Sequence, residues 1–260
     1  LKTMSIRKSI AAAFLLGSLL LPSSVSAQFN WPYKVTNGKA VTEVPVRAAG
    51  QESALNMTTP KLKVVRVAFV GLGMRGHDAV ERWTHIPGIQ VMALCDYERD
   101  RAERCQEYLR KASMPAADIY SGEDGYKELC KRKDIDLVYI APDWKHHFLV
   151  AYEAMNNGKH VAVEVPAAMN LTEIWKLIDI SEKKRLHCMM LENCCYDFFE
   201  LNSLNMAQKD VFGEILYVQG AYRHELSKFW DAYWKKDAQD KLGWRLDYNQ
   251  KFRGDVYATH

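Results

Sequence analysis

The sequence lacks any run of five or more basic residues, although its 260 residues carry a formal net charge of +3. Chains that bind nucleic acid or anionic membranes concentrate lysine and arginine in such runs. It also lacks an apolar stretch of about twenty residues, the length that crosses a bilayer. The apolar segment at residues 10–21 is too short for that. We therefore predict no nucleic-acid partner and no transmembrane anchor.

A C-x-x-C pair is also missing, although the chain has six cysteines. Zinc sites usually take their thiolates from such closely spaced pairs, so we predict no metal. Cys194 and Cys195 are adjacent, and neighbours this close rarely form a disulfide with each other. Cys95 ends a predicted strand, Cys105 and Cys130 lie in predicted helices, and Cys188 lies in the same segment as the adjacent pair. We therefore predict buried free thiols.

The first residues have the order of a secretory signal peptide. After Met4 come a basic pair, the apolar segment and then the small residues Val25, Ser26 and Ala27. We predict a signal peptide over residues 4–27, within a leader of residues 1–27, and an exported protein that is periplasmic or secreted. Residues 28–60 have mixed polarity and several prolines, which is typical of an N-terminal extension or linker.

Short apolar segments alternate with helical segments from residue 61 to residue 192. The predicted strands are residues 63–70, 89–95, 136–141, 160–164 and 186–191. The predicted helices are residues 77–85, 99–111, 148–157 and 171–184. This alternation is typical of an α/β domain with a doubly wound parallel sheet.

The alternation ends after residue 192. A helix is predicted at residues 198–209 and a long strand at residues 215–223, followed by a segment rich in tryptophan and tyrosine. We interpret residues 193–260 as the beginning of an α+β substrate domain that is truncated at His260.

A G-x-G-x-x-G motif follows the first predicted strand of the α/β domain and opens its first helix. In this context Gly71 permits a tight turn, Gly73 lets the backbone approach a pyrophosphate, and Gly76 allows close helix packing. The sequence therefore predicts a Rossmann dinucleotide-binding domain. Structural turns are the alternative interpretation of these glycines, and Arg75 could contact phosphate or solvent.

Asp96 ends the second strand of this domain, where a carboxylate can accept hydrogen bonds from both ribose hydroxyls of an adenosine. This favours NAD over NADP, because a 2′-phosphate would meet a negative charge. The alternative for Asp96 is a helix cap. Arg99 and Arg101 follow closely, and we interpret them as part of a solvated helix face.

Two further segments carry a family resemblance, Ala141-Pro142-Asp143-Trp144-Lys145-His146-His147 and Gly158-Lys159-His160-Val161-Ala162-Val163-Glu164-Val165-Pro166. With the glycine motif they resemble the glucose-fructose oxidoreductase and inositol dehydrogenase (Gfo/Idh/MocA) family. That family usually has a catalytic lysine where this chain has Val165. It also has an aspartate four residues before the histidine that matches His260, and this chain has Val256 there. Valine can neither donate nor accept a proton.

With valine at both of these positions, the chain resembles the NAD-dependent glycoside hydrolases of family 109. They are a branch of the same family, and its members are α-N-acetylgalactosaminidases. The resemblance covers residues 64–260. It is carried by the segments at residues 164–168, 191–196, 243–246 and 254–260, with Ala258 replacing a family proline. The family's final substrate tyrosine lies beyond His260, so activity is expected of the full-length protein rather than of these residues alone.

This resemblance implies roles for individual residues. It implies NAD contacts from Gly71, Gly73, Met74, Arg75, Gly76, Asp96, Trp144, Lys145, His146, His147, Glu164, Val165, Asn193, Arg245 and Tyr257. It implies substrate contacts from Tyr222, Tyr257, Ala258, Thr259 and His260. His260, Tyr257 and Tyr196 are the catalytic candidates. A helix cap is the alternative for His260, a buried structural tyrosine for the other two, and packing or capping for His146 and His147.

The resemblance also implies a mechanism outside the usual pair of carboxylates. Oxidation at C3 of the sugar acidifies the proton at C2, the C1 oxygen leaves by elimination, water adds at C1, and the hydride returns. The implied function is retaining, redox-neutral removal of terminal α-linked N-acetylgalactosamine from glycans. The alternatives are an NAD-dependent sugar oxidoreductase and a catalytically silent NAD-binding protein. A homo-oligomer is left open.

Overall fold

The computed structural model describes residues 33–221 together with Glu225 and Ser227. The first elements are two short strands, β1 (Tyr33–Thr36) and β2 (Lys39–Thr42), which pair antiparallel. Asn37 and Gly38 join them with φ values of 52° and 73°. Positive φ at both positions is typical of the tightest hairpin turns. This hairpin was not predicted, because alternation over four residues does not stand out from a linker.

Six parallel strands form the main sheet. They are β3 (Val65–Val70), β4 (Ile89–Asp96), β5 (Asp118–Ser121), β6 (Leu137–Ile140), β7 (His160–Val163) and β8 (Cys188–Met190). Their spatial order is β5-β4-β3-β6-β7-β8. The chain leaves β3 toward one edge and then returns to its other side at β6. This order confirms the predicted doubly wound sheet and puts its switch point between β3 and β6, where such sheets bind ligands.

The helices are α1 (Met74–Trp83), α2 (Arg99–Lys111), α3 (Gly125–Lys131), α4 (Trp144–Asn156), α5 (Leu171–Lys184) and α6 (Phe198–Gln208). Alternate side chains of β3 point to opposite faces of the sheet. Val67 and Phe69 join a core with residues of α1 and α2, whereas Ala68 and Val70 join a second core with residues of α3, α4 and α5. Because both faces are covered, β3 is apolar without interruption from Val67 to Val70, and its one charged residue, Arg66, lies at the less buried start of the strand.

Several predicted boundaries were wrong. β5 was not predicted, α3 was predicted only as a helix that contains Cys130, without bounds, and α1 begins at Met74 rather than at residue 77. α4 begins at Trp144 rather than at residue 148, because the Asp143 side chain accepts a hydrogen bond from the backbone N–H of His146 and caps the helix there. The helix therefore begins directly after its polar N-cap, Asp143, and not at the first residue of the apolar pattern.

The strand predicted at residues 215–223 is wrong over its described part. Residues 215–221 form no regular structure, and Leu216, Tyr217 and Val218 are 86%, 78% and 78% exposed. A strand needs a neighbouring strand for its backbone hydrogen bonds, and within residues 33–221 none pairs with this segment. Residues 222 and 223 lie outside the described residues.

The cysteine prediction is correct for only part of the set. All six cysteines are free, and Cys95, Cys105 and Cys130 are buried. Burial raises the pKa of Cys95 and of Cys130 to about 12, so both remain protonated thiols. Cys194 and Cys195 are exposed, which contradicts the prediction for that pair. No helix in the described part of the chain is long and apolar enough to span a membrane.

Candidate functional site

A cleft of about 970 Å³ opens at the carboxyl ends of the parallel strands. Ligand sites of small molecules usually measure roughly 300–1,000 Å³, so this volume suits a large organic ligand. The lining includes the ends of β3, β4, β6 and β7 and the first turns of α1 and α4. It contains Gly71, Leu72, Gly73, Met74, Arg75, His77, Asp96, Arg101, Arg104, Pro142, Asp143, Trp144, His146, His147, Glu164, Val165 and Asn193.

The three glycines of the loop after β3 have different surroundings. Gly71 has φ +86°, and a Cβ added to it would lie 2.2 Å from the backbone nitrogen of Pro142. A Cβ on Gly76 would lie 1.8 Å from the carbonyl oxygen of Gly71. A Cβ on Gly73 would have nothing within 4 Å, so this residue faces open space in the cleft. Two glycines are therefore needed for packing, and the third leaves room for a ligand.

The amino end of α1 is suited to an anion. Gly73 is its N-cap and offers no side chain to the first backbone N–H groups, and the first turn has no acidic residue. Unsatisfied N–H groups and the helix dipole favour a negative ligand at such an end. Together with the open space at Gly73, this arrangement fits the pyrophosphate of a dinucleotide.

Asp96 is held by backbone N–H groups at the carboxyl end of β4. Its Oδ2 accepts a hydrogen bond from Leu72 N at 2.6 Å, and its Oδ1 accepts one from Glu98 N at 3.0 Å. The side chain is 5% exposed and still lines the cleft. The carboxylate is therefore fixed in position on the β4 side of the switch point, where a dinucleotide presents its adenosine ribose. Asp96 is not the N-cap of α2, which is Glu98, so the helix-cap alternative is wrong, and the bond from Glu98 N leaves the predicted ribose role possible.

The contacts of Arg101 differ from the solvated helix face that was predicted for the arginines of α2. Its Nη1 lies 3.5 Å from Asp96 Oδ1 and its Nε lies 3.2 Å from a carboxylate oxygen of Glu98. It lines the cleft. Arg99 pairs instead with Glu103 one helical turn away and agrees with a solvated face. The predicted solvated face is thus wrong for Arg101, because the helix begins beside the Asp96 carboxylate.

Glu164 follows β7 and forms the second fixed carboxylate of the cleft. The Tyr139 hydroxyl donates a hydrogen bond of 2.6 Å to its Oε1. Arg75 Nε lies 3.8 Å from the same oxygen and its side chain is 51% exposed. Tyr139 is buried, and burial together with the adjacent Glu164 carboxylate raises its pKa, so the hydroxyl stays protonated and donates.

Tyr139 was not predicted from the sequence as a residue of the site. The available signal was a tyrosine inside the buried strand Leu-Val-Tyr-Ile, since a buried hydroxyl needs a hydrogen-bond partner. The partner itself was not predictable from that pattern. Tyr139 and Glu164 are far apart in the sequence and meet only because β6 and β7 pair.

His147 connects the segments that follow β6 and β7. It is 2% exposed, its Nδ1 lies 2.8 Å from Pro166 O, and its Nε2 lies 3.2 Å from Pro142 O. Burial lowers the pKa of His147, although both carbonyl oxygens act in the opposite direction. A neutral, buried imidazole is a packing residue of the cleft wall. The Val165–Pro166 peptide bond beside it is cis.

The structure brings most of the predicted cofactor residues together in this cleft. Three described candidates do not line it: Gly76 is buried against the Gly71 carbonyl, Lys145 is exposed, and Tyr196 is 53% exposed with its hydroxyl 3.5 Å from Met190 O. The remaining candidates lie outside the described residues and are Tyr222, Arg245, Tyr257, Ala258, Thr259 and His260. Among the described residues no cluster of histidine, cysteine, aspartate and glutamate could hold a metal ion.

Two protein families match different parts of the chain. Residues 65–192 match the Gfo/Idh/MocA oxidoreductase family with an NAD-binding Rossmann fold. Residues 196–260 match the C-terminal domain of glycosyl hydrolase family 109. The first match states the cofactor that the cleft geometry fits: residues 65–192 form an NAD-binding domain.

Curated relatives carry the same family name. Glycosyl hydrolase family 109 protein 5 of Phocaeicola vulgatus is 62% identical over 97% of this chain and 50% of its own length. Glycosyl hydrolase family 109 protein 1 of Bacteroides thetaiotaomicron is 54% identical over 100% of this chain and 53% of its own length. The chain spans about half the length of these relatives.

Solved structures share the fold. The myo-inositol 2-dehydrogenase of Lactobacillus plantarum superposes with a TM-score of 0.51 at 21% identity, covering 60% of this chain and 44% of that one. A dehydrogenase of Chromobacterium violaceum superposes with a TM-score of 0.51 at 23% identity, covering 59% and 43%. Identities this low support the Rossmann architecture alone.

Proposed function

Because the chain belongs to glycosyl hydrolase family 109, within the Gfo/Idh/MocA family, we propose that its protein removes terminal α-linked N-acetylgalactosamine from glycans. The proposed reaction is retaining and redox-neutral and uses NAD. The substrate is proposed from the resemblance in the sequence. The relatives' names give the family, and this chain covers half of the length of the first of them.

The observation that carries this proposal is the side chain after Glu164. Val165 lines the cleft at the carboxyl end of β7, at the position where the dehydrogenases of the wider family have their catalytic lysine. No lysine is among the described residues of the cleft lining. An apolar side chain cannot exchange a proton with a sugar hydroxyl. A hydrolase that obtains its acid and base elsewhere is favoured over a dehydrogenase.

NAD, when bound, supplies a hydride acceptor and donor for C3 of the sugar, so that it ends each cycle in its starting form. The described residues would hold and orient it. Gly73 and the first turn of α1 would receive the pyrophosphate, Asp96 would accept hydrogen bonds from the adenosine ribose, and Glu164 would face the opposite half of the dinucleotide. The buried His147 would form part of the cleft wall behind this half.

Proton transfers are proposed for residues assigned by the resemblance. His260 would exchange the proton of the C3 hydroxyl, because imidazole titrates near neutral pH. Tyr257 would take the C2 proton, whose acidity rises once C3 is a ketone, because Tyr196 does not line the described cleft. Elimination of the C1 oxygen, addition of water at C1 with a proton at C2, and return of the hydride to C3 would then complete hydrolysis with the original anomeric configuration.

The test uses the full-length protein with an aryl α-N-acetylgalactosaminide in heavy water. Aglycone release, absorbance of reduced nicotinamide and deuterium in the released sugar are followed together. We expect release without net accumulation of reduced cofactor, with deuterium at C2 and the α-anomer formed first. Reduced cofactor without release would identify a sugar oxidoreductase. Neither signal, with NAD still bound, would identify a silent NAD-binding protein.

We also propose that the protein is exported. Residues 4–27, which carry the signal-peptide pattern, lie outside the described residues. Sequencing the amino terminus of the protein recovered from an expressing bacterium tests this. A new terminus at Gln28 supports cleavage after Ala27, and an uncleaved protein in the cytoplasm contradicts it.

A further inference from the structure

We propose that Glu164, held by Tyr139, makes the cofactor site prefer oxidised NAD, whose nicotinamide ring is positively charged, over reduced NAD, whose ring is neutral. Glu164 would supply the negative charge, and Tyr139 would act as its positioning residue. The inference deepens the proposed function and rests on it, since a redox-neutral cycle begins and ends with the oxidised cofactor.

The order of the strands determines which end of the dinucleotide meets Glu164. The pyrophosphate belongs over the glycine loop after β3, and the adenosine belongs on the side of β4, where Asp96 lies. The nicotinamide therefore belongs on the other side of the switch point, over β6 and β7. Glu164 directly follows β7 and lines the cleft there.

The hydrogen bond from Tyr139 keeps the negative charge of this carboxylate. A phenol is a neutral donor, so its 2.6 Å bond to Oε1 orients the carboxylate without cancelling its charge. Arg75 is the one ion-pair partner of Glu164 within the described part of the chain. Its Nε is farther away, at 3.8 Å, and its side chain is half exposed. Solvent screens such a pair strongly.

Tyr139 is itself held rigidly. Its ring centroid lies 5.2 Å from that of Phe69 and 5.4 Å from that of Trp83, and Phe69 also contacts Trp83 edge-on. The backbone N–H of Glu164 donates to Ile140 O at 2.8 Å, which fixes the residue from its main chain as well. The carboxylate is thus restrained at both ends of its side chain.

The neighbouring wall does not compensate this charge. Val165 is apolar, and burial keeps His147 in its neutral form by lowering its pKa. Asp143 and His146 also line the cleft, but Asp143 Oδ1 accepts from His146 N and contacts the His146 ring, so this acid is already engaged. Charge beside a cofactor ring changes the relative stability of its redox states. The Glu164 carboxylate therefore stabilises the cationic ring.

The experiment measures dissociation constants of oxidised and reduced NAD for the full-length protein by calorimetry, without any sugar. The variants are Glu164→Gln, which keeps the size and the acceptor for Tyr139 but removes the charge, and Tyr139→Phe, which removes the hydroxyl. Tyr152→Phe is the matched control, because Tyr152 packs on Phe148 and does not line the cleft.

We expect the wild-type protein to bind oxidised NAD more tightly, and the ratio of the two constants to fall roughly tenfold in Glu164→Gln, a change of about 1.4 kcal/mol. We expect a smaller fall, roughly threefold, in Tyr139→Phe and none in Tyr152→Phe. Loss of packing would weaken both forms equally and leave the ratio unchanged.

An unchanged ratio in folded Glu164→Gln would overturn the charge effect, and an unchanged ratio in folded Tyr139→Phe would overturn the positioning role. If Glu164→Gln does not fold, Tyr139→Phe decides alone. A wild-type preference for reduced NAD also overturns the inference. Because no sugar is present, failure of the proposed hydrolase reaction would not alter these binding results.

Discussion

The two fixed carboxylates of the cleft, Asp96 and Glu164, are held in different ways. Asp96 accepts hydrogen bonds from the backbone N–H groups of Leu72 and Glu98, which lie in the motif itself or two residues along the chain. Glu164 depends on the side chain of Tyr139, which comes from a neighbouring strand. Leu72 and Tyr139 are almost equally far from their carboxylates in the sequence, 24 and 25 residues. The difference is that every residue except proline supplies a backbone N–H donor, so a motif is enough to recognise the first carboxylate, whereas the second depends on one particular side chain.

This difference predicts that substitutions at the two ends of the cleft change different properties of NAD binding. Replacing side chains around Asp96 leaves its backbone donors in place, whereas one side-chain substitution removes the hydroxyl donor of Glu164. The Asp96 end of the cleft should therefore determine how tightly the dinucleotide binds. The Glu164 end should determine which redox form binds better.

Gly76→Ala should have the largest effect, because it damages the loop that serves both ends. Alanine favours helix by about 1 kcal/mol over glycine. That gain is smaller than the clash, because the new Cβ would lie 1.8 Å from the Gly71 carbonyl oxygen. We expect a loss of about 3 kcal/mol or more in the free energy of unfolding, measured by denaturant titration.

Gly73→Ala is the matched control for this substitution. Its Cβ enters open space, so stability should change by less than about 1 kcal/mol. NAD affinity should still fall, because the methyl group occupies the approach to the pyrophosphate. Equal destabilisation by the two substitutions would contradict the different surroundings of the two glycines.

Asp96→Asn should have the next largest effect, on affinity and also on stability, because the amide has one acceptor oxygen for the two backbone N–H groups of Leu72 and Glu98. The amide removes a charged acceptor from the adenosine end, and hydrogen bonds to charged groups are worth roughly 1.5–3 kcal/mol. The dissociation constant of NAD should rise roughly ten- to hundredfold. Oxidised and reduced NAD should be affected alike, in contrast to Glu164→Gln, and calorimetry with both forms separates the two ends. A changed ratio would show that the adenosine end also senses the redox state.

His147 should make the Glu164 end sensitive to acid. The unfolded chain takes up a proton on this imidazole near its ordinary pKa of 6.5, whereas burial lowers the pKa in the folded state. Between the lowered pKa and 6.5 the unfolded state holds more protons, so stability falls as pH falls, by at most about 1.4 kcal/mol per pH unit. Unfolding titrations from pH 7.5 to roughly pH 5 measure this slope.

The His147→Gln variant isolates this contribution, with His85→Gln as the control because His85 is exposed. We expect a shallower acid slope for the first variant and an unchanged slope for the second. His160 also has a pKa lowered by burial, so some acid sensitivity should remain. Parallel slopes in all three proteins would exclude His147 as the source.

Arg101→Ala should have the smallest effect. Its contact with Asp96 is 3.5 Å long, and its side chain is 37% exposed, so solvent weakens the interaction. We expect the dissociation constant of NAD to change by no more than roughly threefold. NADP should lose more, because its 2′-phosphate would otherwise contact this cation. A larger change for NAD than for NADP would show that Arg101 orients Asp96 rather than contacting the ligand.

The fold, like the cleft, has parts that the sequence pattern predicts and parts that it does not predict. The alternation of buried strands and helices predicted the doubly wound sheet, because a strand covered on both faces must be apolar throughout. The hairpin at Tyr33–Thr42 and strand β5 were missed, because four residues carry too little periodicity. The strand predicted at residues 215–223 was wrong, because an apolar run forms a strand only beside another strand.

The sequence by itself determined the glycine loop and the position of Asp96, because the motif specifies glycine where the backbone turns or packs closely and a carboxylate where backbone N–H groups donate. It also determined Val165, an apolar residue where the family resemblance implies a lysine in the dehydrogenases. Only the tertiary structure decided the Tyr139 partner of Glu164, the Pro166 partner of His147 and the close approach of Pro142 to Gly71. These contacts join residues of different strands and loops, because parallel pairing of β3, β6 and β7 brings those residues side by side.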